Sequence, residues 1–241
     1  MKIADDINNY LYGKEFSNGL KINFLFDQED WEYNSRYEIL RKMCLNKNIV
    51  HIGCVDHKPE TIKQKIKHNK WLHKILDDAA EKCFGIDIDK NGINYLKNVL
   101  GYKDVACIDL ADCTEHEIFD RYWDYILIPE VLEHQDNPVT FLQGINEKFK
   151  DKAEKIIITV PNAFSKSNYS NAFNNFESIN TDHRYWFTPY TIAKIIISSG
   201  FNLDEIRFSR NGIIKPWTFI KNSFFSRHPF LRNNIIAIAH W

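Results

Sequence analysis

The sequence lacks several patterns that would place its 241 residues in a common class. None of its five cysteines forms a Cys-x-x-Cys pair, and no Cys/His spacing is typical of zinc binding. No apolar run approaches the roughly 20 residues that span a bilayer, and acids near Met1 stand where a signal peptide would be apolar. The net charge of −1 gives no overall attraction to nucleic acid. We expect a cytoplasmic protein with reduced cysteines, no metal, no nucleic-acid partner and no stable membrane insertion.

No internal repeat, low-complexity tract or Pro/Gly-rich linker divides the chain, and 44% hydrophobic residues suffice for one core. We therefore predict a single domain over residues 1–241. Within it, 1–45 should be a covering segment and helix, 46–208 a ligand-binding core, and 209–241 a basic, aromatic segment with the last strand.

Apolar runs alternate with segments of helical periodicity along this core. Strands are predicted at 48–52, over the apolar run that ends in 84–89, and at 103–108, 123–128, 155–160, 201–208 and 234–240. Helices are predicted at 31–43, 59–80, 90–100, from 139 onward and at 188–199, with a long polar loop over 163–187. Such alternation predicts an α/β fold with a Rossmann-like, doubly wound, mostly parallel sheet and helices on both faces.

Polar or small residues follow the predicted strands at the edge where such sheets bind ligands. They are Gly53, Asp87, Asp109, Glu130 and Asn162. Because all five residues are expected at the same edge of the sheet, we predict a single ligand-binding site there.

The turn after the first strand has one glycine, Gly53, with Val55 and His57 where a dinucleotide-binding turn would have more. A pyrophosphate needs several bare backbone N–H groups, so the missing glycines argue against an oxidoreductase. A cofactor with a ribose and no phosphate, such as S-adenosylmethionine, suits this turn better.

Four segments together resemble one known family: 49–54 (IVHIGC), 85–89 (GIDID), 123–134 (WDYILIPEVLEH) and 158–162 (ITVPN). The run 182–188 (DHRYWFT), with Gly200-Phe201 after the next helix, also fits. The sequence is similar to class I S-adenosylmethionine-dependent methyltransferases, of the small-molecule group that includes the ubiquinone-biosynthesis O-methyltransferases. The resemblance implies a seven-stranded sheet whose last strand is antiparallel. It departs from the family at His51, where an acid is usual.

The resemblance also implies cofactor contacts residue by residue. These are Gly53 and Cys54 at the methionine end, Asp87 at the ribose hydroxyls, Ile88 against the adenine, Asp109 at the adenine amino group with Leu110 beside the ring, and Pro129 and Glu130 at the border of the methyl-transfer cleft. A structural alternative stays open for Asp87, since an acid at a strand end can cap the next helix, although Asp89 is better placed to do so.

Two histidines are candidate general bases, because an unperturbed imidazole titrates near working pH. His134 follows the fourth strand and His183 lies in the polar loop. Glu133 can serve as a dyad partner of His134 or as a helix-start residue. Divalent-metal assistance through Glu133, His134 and a distant partner is a further alternative.

The segment from Ile206 to Trp241 contains no Asp or Glu, whereas six basic residues fall there: Arg207, Arg210, Lys215, Lys221, Arg227 and Arg232. Three interpretations of this segment stay open: a rim for an anionic acceptor, a solvated hairpin, and contact with an anionic membrane surface.

We expect O-methylation of a small acceptor, with a phosphorylated sugar or glycan precursor as the anionic option. The alternative is a non-catalytic S-adenosylmethionine-binding protein with a degenerate glycine turn. The oligomeric state cannot be read from the sequence.

Overall fold

A computed structural model describes residues 1, 7–56, 58–214 and 217–241. His57, where a family glycine was expected, and Lys215 of the basic segment lie outside the described residues. The described part contains seven strands: β1 (Asn48–Ile52), β2 (Lys82–Asp87), β3 (Val105–Cys107), β4 (Trp123–Pro129), β5 (Ala153–Pro161), β6 (Asn202–Ser209) and β7 (Asn234–His240).

These strands form one sheet in the order β3-β2-β1-β4-β5-β7-β6. The first five pair in parallel, whereas β7 runs antiparallel to both β5 and β6. The sheet is therefore mixed, and the expected seven strands with an antiparallel last strand are confirmed. The carboxyl ends of β1, β2, β4 and β5 meet at one edge.

The helices of the described residues are α1 (Asn8–Leu11), α2 (Arg36–Met43), α3 (Ile62–Lys67), α4 (Leu72–Asp77), α5 (Lys90–Asn98), α6 (Pro138–Phe149), α7 (Lys166–Phe173), α8 (Pro189–Ser198) and α9 (Phe219–Arg227). Side-chain caps set several of their starts. Ser35 and Glu38 form a capping box on α2, Asn137 accepts from Thr140 N at α6, and Thr188 caps α8.

The prediction of one helix over 59–80 is wrong. Residues Pro59–Thr61 form a short 3₁₀ turn, and α3 and α4 follow as separate helices. Asn69 has a φ of 52° between them, a left-handed conformation that cannot continue a right-handed helix. Trp71 then lies in extended conformation before α4, with its ring buried. The buried Trp71 ring and the left-handed Asn69 therefore interrupt the helix that the hydrophobic periodicity of 59–80 predicted.

The prediction of an irregular loop over 163–187 is also wrong. The polar loop over 163–187 contains α7, which starts at the Ser165 cap and buries none of its residues. Because α7 has no apolar face toward the core, hydrophobic periodicity could not reveal it. The solvated-hairpin alternative for the segment from Ile206 to Trp241 does not hold either, since that segment contains α9 and a 3₁₀ turn at Pro229–Leu231.

The core lies on both faces of the sheet. One face packs large residues of the strands and helices such as Trp123, Phe149 and Phe187, together with Ile7 and Leu11 of the N-terminal segment. The other face packs a smaller cluster against α2 and α4, within which lie the side chains Leu40, Ile49, Leu76, Leu127 and Ile157. Among the described residues we find no helix of the length and apolarity needed to traverse a bilayer.

Candidate active site

The glycine turn after β1 is fixed from two sides. Gly53 has a φ of 77°, and a Cβ there would lie 2.6 Å from Val131 Cγ2, so the position excludes any side chain without rearrangement. The amides of Gly53 and Cys54 both donate to the Ile86 carbonyl, at 2.9 and 3.2 Å. The turn is thereby tied to β2, where the next candidate residue lies.

The Asp87 carboxylate lies at the end of β2 and orders the backbone around it. It accepts from Val55 N at 2.8 Å and from Asp89 N at 3.0 Å. Burial raises the pKa of Asp87, against the lowering effect of these amide bonds. Asp89 caps α5 by accepting from Asn91 N at 2.9 Å, which confirms its expected role. Each Asp87 oxygen keeps a second lone pair, so the carboxylate can also accept from two vicinal hydroxyls.

An apolar residue stands exposed beside Asp87. Ile88 is 73% exposed although it directly follows a buried strand. Asp109 follows the neighbouring strand β3, lies on the surface and accepts from Ala111 N at 2.9 Å. An exposed apolar side chain next to Asp87, with Asp109 after the neighbouring strand, suits a flat aromatic base joined to a sugar. The residues present at this edge therefore fit an adenosine group.

Two of the predicted contact residues point into the core instead. Cys54 is 1% exposed and packs among apolar side chains, while its carbonyl accepts from Trp71 Nε1 at 3.2 Å. Burial raises the pKa of its thiol. Leu110 is 5% exposed. Cys54 can thus offer a cofactor only its backbone, and Leu110 only a small edge of its side chain.

His51, which replaces the acid usual in the family, does not face the cleft. Its ring is buried and shares a 3.0 Å hydrogen bond with His73, Nδ1 to Nδ1. Gly85 makes room for this pair, since a Cβ there would lie 2.7 Å from His73 Cε1. Burial lowers the pKa of both imidazoles, that of His73 to about 4. The pair is neutral and structural.

Glu130 anchors the border of the cleft after β4. Its backbone has a φ of 56°, and its carboxylate accepts from Arg36 Nη1 at 2.8 Å, Thr159 Oγ1 at 3.0 Å and Asn234 Nδ2 at 3.0 Å. The preceding Pro129 is buried. Arg36 and Asn234 come from α2 and β7, so sequence spacing could not associate them with this site.

Glu133, His134 and His183 form one cluster, in which one side-chain N or O atom from each lies within 4.8 Å of the others. Glu133 Oε1 is 3.9 Å from His183 Nε2, and the two imidazole rings meet edge to face at 4.7 Å. Glu133 is 0% exposed, and neither oxygen has a hydrogen-bond partner among the described residues. Burial, followed by repulsion from Glu130, raises the pKa of the Glu133 carboxyl. The two histidines proposed separately from the sequence thus belong to a single group.

Hydrogen bonds from the loop after α7 hold this cluster together. Arg184 donates from its backbone N to the Glu133 carbonyl at 2.8 Å and from Nη1 to the His134 carbonyl at 2.6 Å. Its Nε lies 2.5 Å from Asp136 Oδ1, and the Tyr185 hydroxyl donates to the Asp136 carbonyl at 2.9 Å. The loop that carries His183 is thereby fastened to the segment that carries Glu133 and His134.

A basic cavity of about 870 Å³ opens at the same edge of the sheet. Arg210, just beyond β6, and Asn233, just before β7, both line it. Because β7 starts opposite the last residue of β5, this lining belongs to the edge where the parallel strands end. Lys166 of α7 and Lys221 of α9 add two more cations, and no acidic residue is among the described residues that line the cavity.

Two other basic residues of the segment from Ile206 to Trp241 have structural roles. The Arg232 guanidinium is buried and donates to the carbonyls of Phe225 and Phe208, each at 3.0 Å. Burial lowers the pKa of Arg232 to about 10. Arg207 pairs with Glu205 at 2.7 Å. The interpretation of the six cations as a rim for an acceptor therefore does not apply to these two.

Comparison with known proteins identifies the family of this chain and structures that share its fold. Residues 23–206 match the model of a methyltransferase domain, whereas a comparison with curated protein sequences found no match. The solved structure of the small RNA methyltransferase HEN1 superposes with a TM-score of 0.55 at 14% identity, covering 94% of this chain and 27% of that one.

Two smaller proteins superpose over nearly their whole length. An S-adenosylmethionine dependent methyltransferase from Mesorhizobium loti has a TM-score of 0.53 at 10% identity, covering 85% of this chain and 96% of that chain. A putative methyltransferase from Bacillus halodurans C-125 has a TM-score of 0.53 at 12% identity, covering 85% and 98%. Likeness at such low identity shows a shared fold.

Proposed function

The chain belongs to the methyltransferase-domain family, and from that premise we propose that it methylates an oxygen of a small anionic acceptor. It is an S-adenosylmethionine-dependent methyltransferase with a Rossmann-like α/β fold, as the sequence predicted. The cofactor supplies an electrophilic methyl group on a sulfonium. Membership of this family makes a non-catalytic binding protein the less favoured alternative.

The proposed cofactor contacts are those that the cleft exposes. Gly53 gives close approach of the backbone, Asp87 accepts from ribose hydroxyls, Ile88 covers the adenine and Asp109 accepts from its amino group. The proposed cofactor contacts follow β1, β2 and β3. The acceptor would then bind at the same edge of the sheet on the other side of β4, since ligands of such sheets bind at the carboxyl ends of the strands.

The observation that carries the acceptor proposal is the basic cavity. Three cations, Lys166, Arg210 and Lys221, face about 870 Å³ without an acid among its described lining residues. In a chain with a net charge of −1, such a local excess favours a ligand with a phosphate or carboxylate. The volume accommodates a small metabolite, and a phosphorylated sugar or glycan precursor has both the charge and the hydroxyl groups.

Oxygen is proposed as the methylated atom because of the Glu133 cluster. Transfer forms an O–C bond as the S–C bond breaks, and the hydroxyl must lose its proton. His134 follows β4, and His183 lies in the loop after α7, which Arg184 bonds to the segment that carries His134. We assign the task of making the acceptor oxygen nucleophilic to this cluster.

The test is release of S-adenosylhomocysteine by the purified full chain in the presence of matched acceptors. Sugar phosphates and nucleotide sugars are compared with the same sugars lacking phosphate, and products are checked by mass for one added methyl. Anionic acceptors are expected to have the lower KM, which should rise with salt as screening increases. A neutral sugar turned over with a salt-independent KM would contradict the proposal.

A short single-stranded RNA belongs in the same panel, because the HEN1 structure shares the fold. Methylation of the RNA without methylation of any small phosphate would contradict the small-molecule part of the proposal.

Charge reversal at the cavity tests the acceptor site separately. Lys221→Glu is expected to raise the acceptor KM about tenfold, a loss of about 1.4 kcal/mol, with unchanged affinity for S-adenosylmethionine. Lys150→Glu is the matched control, since Lys150 is exposed where α6 ends, at the opposite edge of the sheet. Equal effects of the two reversals would show a general charge effect and remove the cavity from the proposal.

A further inference from the structure

We propose that Glu133, His134 and His183 bind one divalent transition-metal ion at the carboxyl end of β4. This inference rests on the proposed function only for what the ion does to the acceptor. The presence of the site can be tested without cofactor or acceptor.

The side chains have the composition and spacing of such a site. Two imidazoles and one carboxylate suit zinc, manganese, cobalt or iron(II). Ligand atoms about 2.1 Å from a shared ion lie roughly 3–3.5 Å apart. The candidate atoms here lie within 4.8 Å of one another, with 3.9 Å between Glu133 Oε1 and His183 Nε2. Small side-chain rotations would close the set around an ion.

The buried carboxylate is the second, independent observation. Glu133 is 0% exposed, and both of its oxygens are without a hydrogen-bond partner among the described residues. Burying a carboxyl group without a hydrogen-bond partner is unfavourable. A direct Glu133–His183 hydrogen bond does not explain it, because 3.9 Å exceeds the length of a hydrogen bond. A cation between the two groups would give the carboxylate the partner it lacks.

Two cations near the cluster, Arg36 and Arg184, are paired with other carboxylates, so neither occupies the place of the ion. Arg36 lies 2.8 Å from Glu130, and Arg184 lies 2.5 Å from Asp136. Arg184 also bonds the carbonyl of His134, which fixes the backbone of a proposed ligand from behind. Supporting contacts of this kind orient the ligands of metal sites.

Three protein ligands leave coordination positions open, as catalytic metal sites do. An acceptor hydroxyl bound there would have its pKa lowered by the ion and would lose its proton to solvent. The resulting alkoxide oxygen forms the O–C bond as the S–C bond breaks, leaving S-adenosylhomocysteine. In this scheme His134 and His183 are metal ligands, in place of the general bases that the sequence indicated.

The experiment titrates the metal-free full chain with ZnCl₂, MnCl₂ and CoCl₂ by calorimetry, without cofactor or acceptor. We expect one ion per chain, a higher Tm with the ion than without it, and visible d–d absorption of bound Co²⁺. Glu133→Gln and His183→Asn should weaken binding about 100-fold or more, since even changes behind the ligands cost about 10- to 100-fold. His68→Asn, at an exposed histidine after α3, is the matched control and should bind the ion as the unchanged protein does.

Folding of each variant, metal binding and methylation are measured separately. S-adenosylmethionine affinity and circular dichroism report whether each variant is folded, and His134→Asn, at a partly exposed ligand, decides the matter if Glu133→Gln fails to fold. Absence of stoichiometric binding by the unchanged protein, or equal loss in His68→Asn, would overturn the site. Metal binding without methylation of any anionic acceptor would overturn the proposed acceptor and support the site.

Discussion

Asp87 illustrates how one carboxylate at this edge both orders the protein and remains able to bind a ligand. Its oxygens accept from Val55 N and Asp89 N while lone pairs remain for two hydroxyls. Asp87→Ala is expected to weaken S-adenosylmethionine binding by about 2–4 kcal/mol, from two bonds to a charged group with a discount for water. Calorimetric titration of the folded variant measures this, and unchanged affinity would remove Asp87 from the site.

Asp89 is the matched control at the neighbouring acid. Asp89→Ala removes the cap that accepts from Asn91 N, so the free energy of unfolding should fall by about 1 kcal/mol. Its S-adenosylmethionine affinity should stay the same. Urea unfolding and the same titration separate the two effects, and a larger binding loss than in Asp87→Ala would reverse the assignment.

Two features require glycine at position 53: the left-handed backbone conformation and the close approach of the Val131 side chain. Gly53→Ala should lower the free energy of unfolding by about 1–2 kcal/mol for the left-handed φ and by a further ~1–3 kcal/mol for overlap with Val131. In the Gly53→Ala/Val131→Ala double variant the overlap is absent and only the backbone cost should remain, relative to Val131→Ala alone. Urea unfolding of the four proteins checks this, and full recovery in the double variant would show that φ contributes nothing.

At the scale of elements, Arg36 and Glu130 join α2 to the central strands. The same network reaches β5 through Thr159 and β7 through Asn234. Arg36→Met leaves the Glu130 carboxylate without its cation and is expected to cost about 3–5 kcal/mol of unfolding free energy. The Arg36→Met/Glu130→Gln double variant should cost less than Arg36→Met alone. Additive losses across the four proteins would show that the two residues stabilise the fold independently.

The helices that line the basic cavity, α7 and α9, are of a kind that hydrophobic periodicity does not detect. Neither α7 nor α9 has a continuous buried face, and each lies in a segment where the sequence predicted a loop or a hairpin. Their polar faces carry Lys166 and Lys221 to a common cavity. The cap at Ser165 is a local signal for α7, since a serine followed by a helix-compatible run starts many helices.

For the whole molecule, the buried His51–His73 pair should limit stability in acid. Folding lowers both pKa values, that of His73 to about 4, whereas the unfolded chain takes up protons near 6.5. The unfolded state therefore binds more protons below pH 6.5. Stability is fully present above that pH and is lost as the pH falls from about 6.5 toward 4. For His73 alone the loss amounts to roughly 3 kcal/mol.

Urea unfolding at pH 7.5 and pH 5 measures this loss. The His51→Leu/His73→Leu double variant removes both titrating groups at similar volume and should show a smaller difference between the two pH values. His68→Asn should retain the full difference, because His68 is exposed. An undiminished difference in the double variant would assign the acid sensitivity to other groups.

The local pattern of the sequence was sufficient for most of the sheet. Strand β7 was predicted with its observed bounds, and the turn at Gly53 and the cap at Asp89 were recognised from local chemistry. These features depend on residues within a few positions of one another. The seven-stranded sheet with an antiparallel last strand was implied by the family resemblance, because strand pairing is a non-local property.

The sequence by itself determined the alternation of strands and helices and the acids that follow the strands at one edge of the sheet, since each is encoded by neighbouring residues. Tertiary structure alone decided that His183 joins Glu133 and His134, that Arg36 and Asn234 hold Glu130, and that Arg232 is buried while Lys166 lines the cavity. These groupings bring together residues far apart in the chain. Whether a charged side chain meets a ligand or a buried carbonyl depends on chain packing, which no local pattern contains.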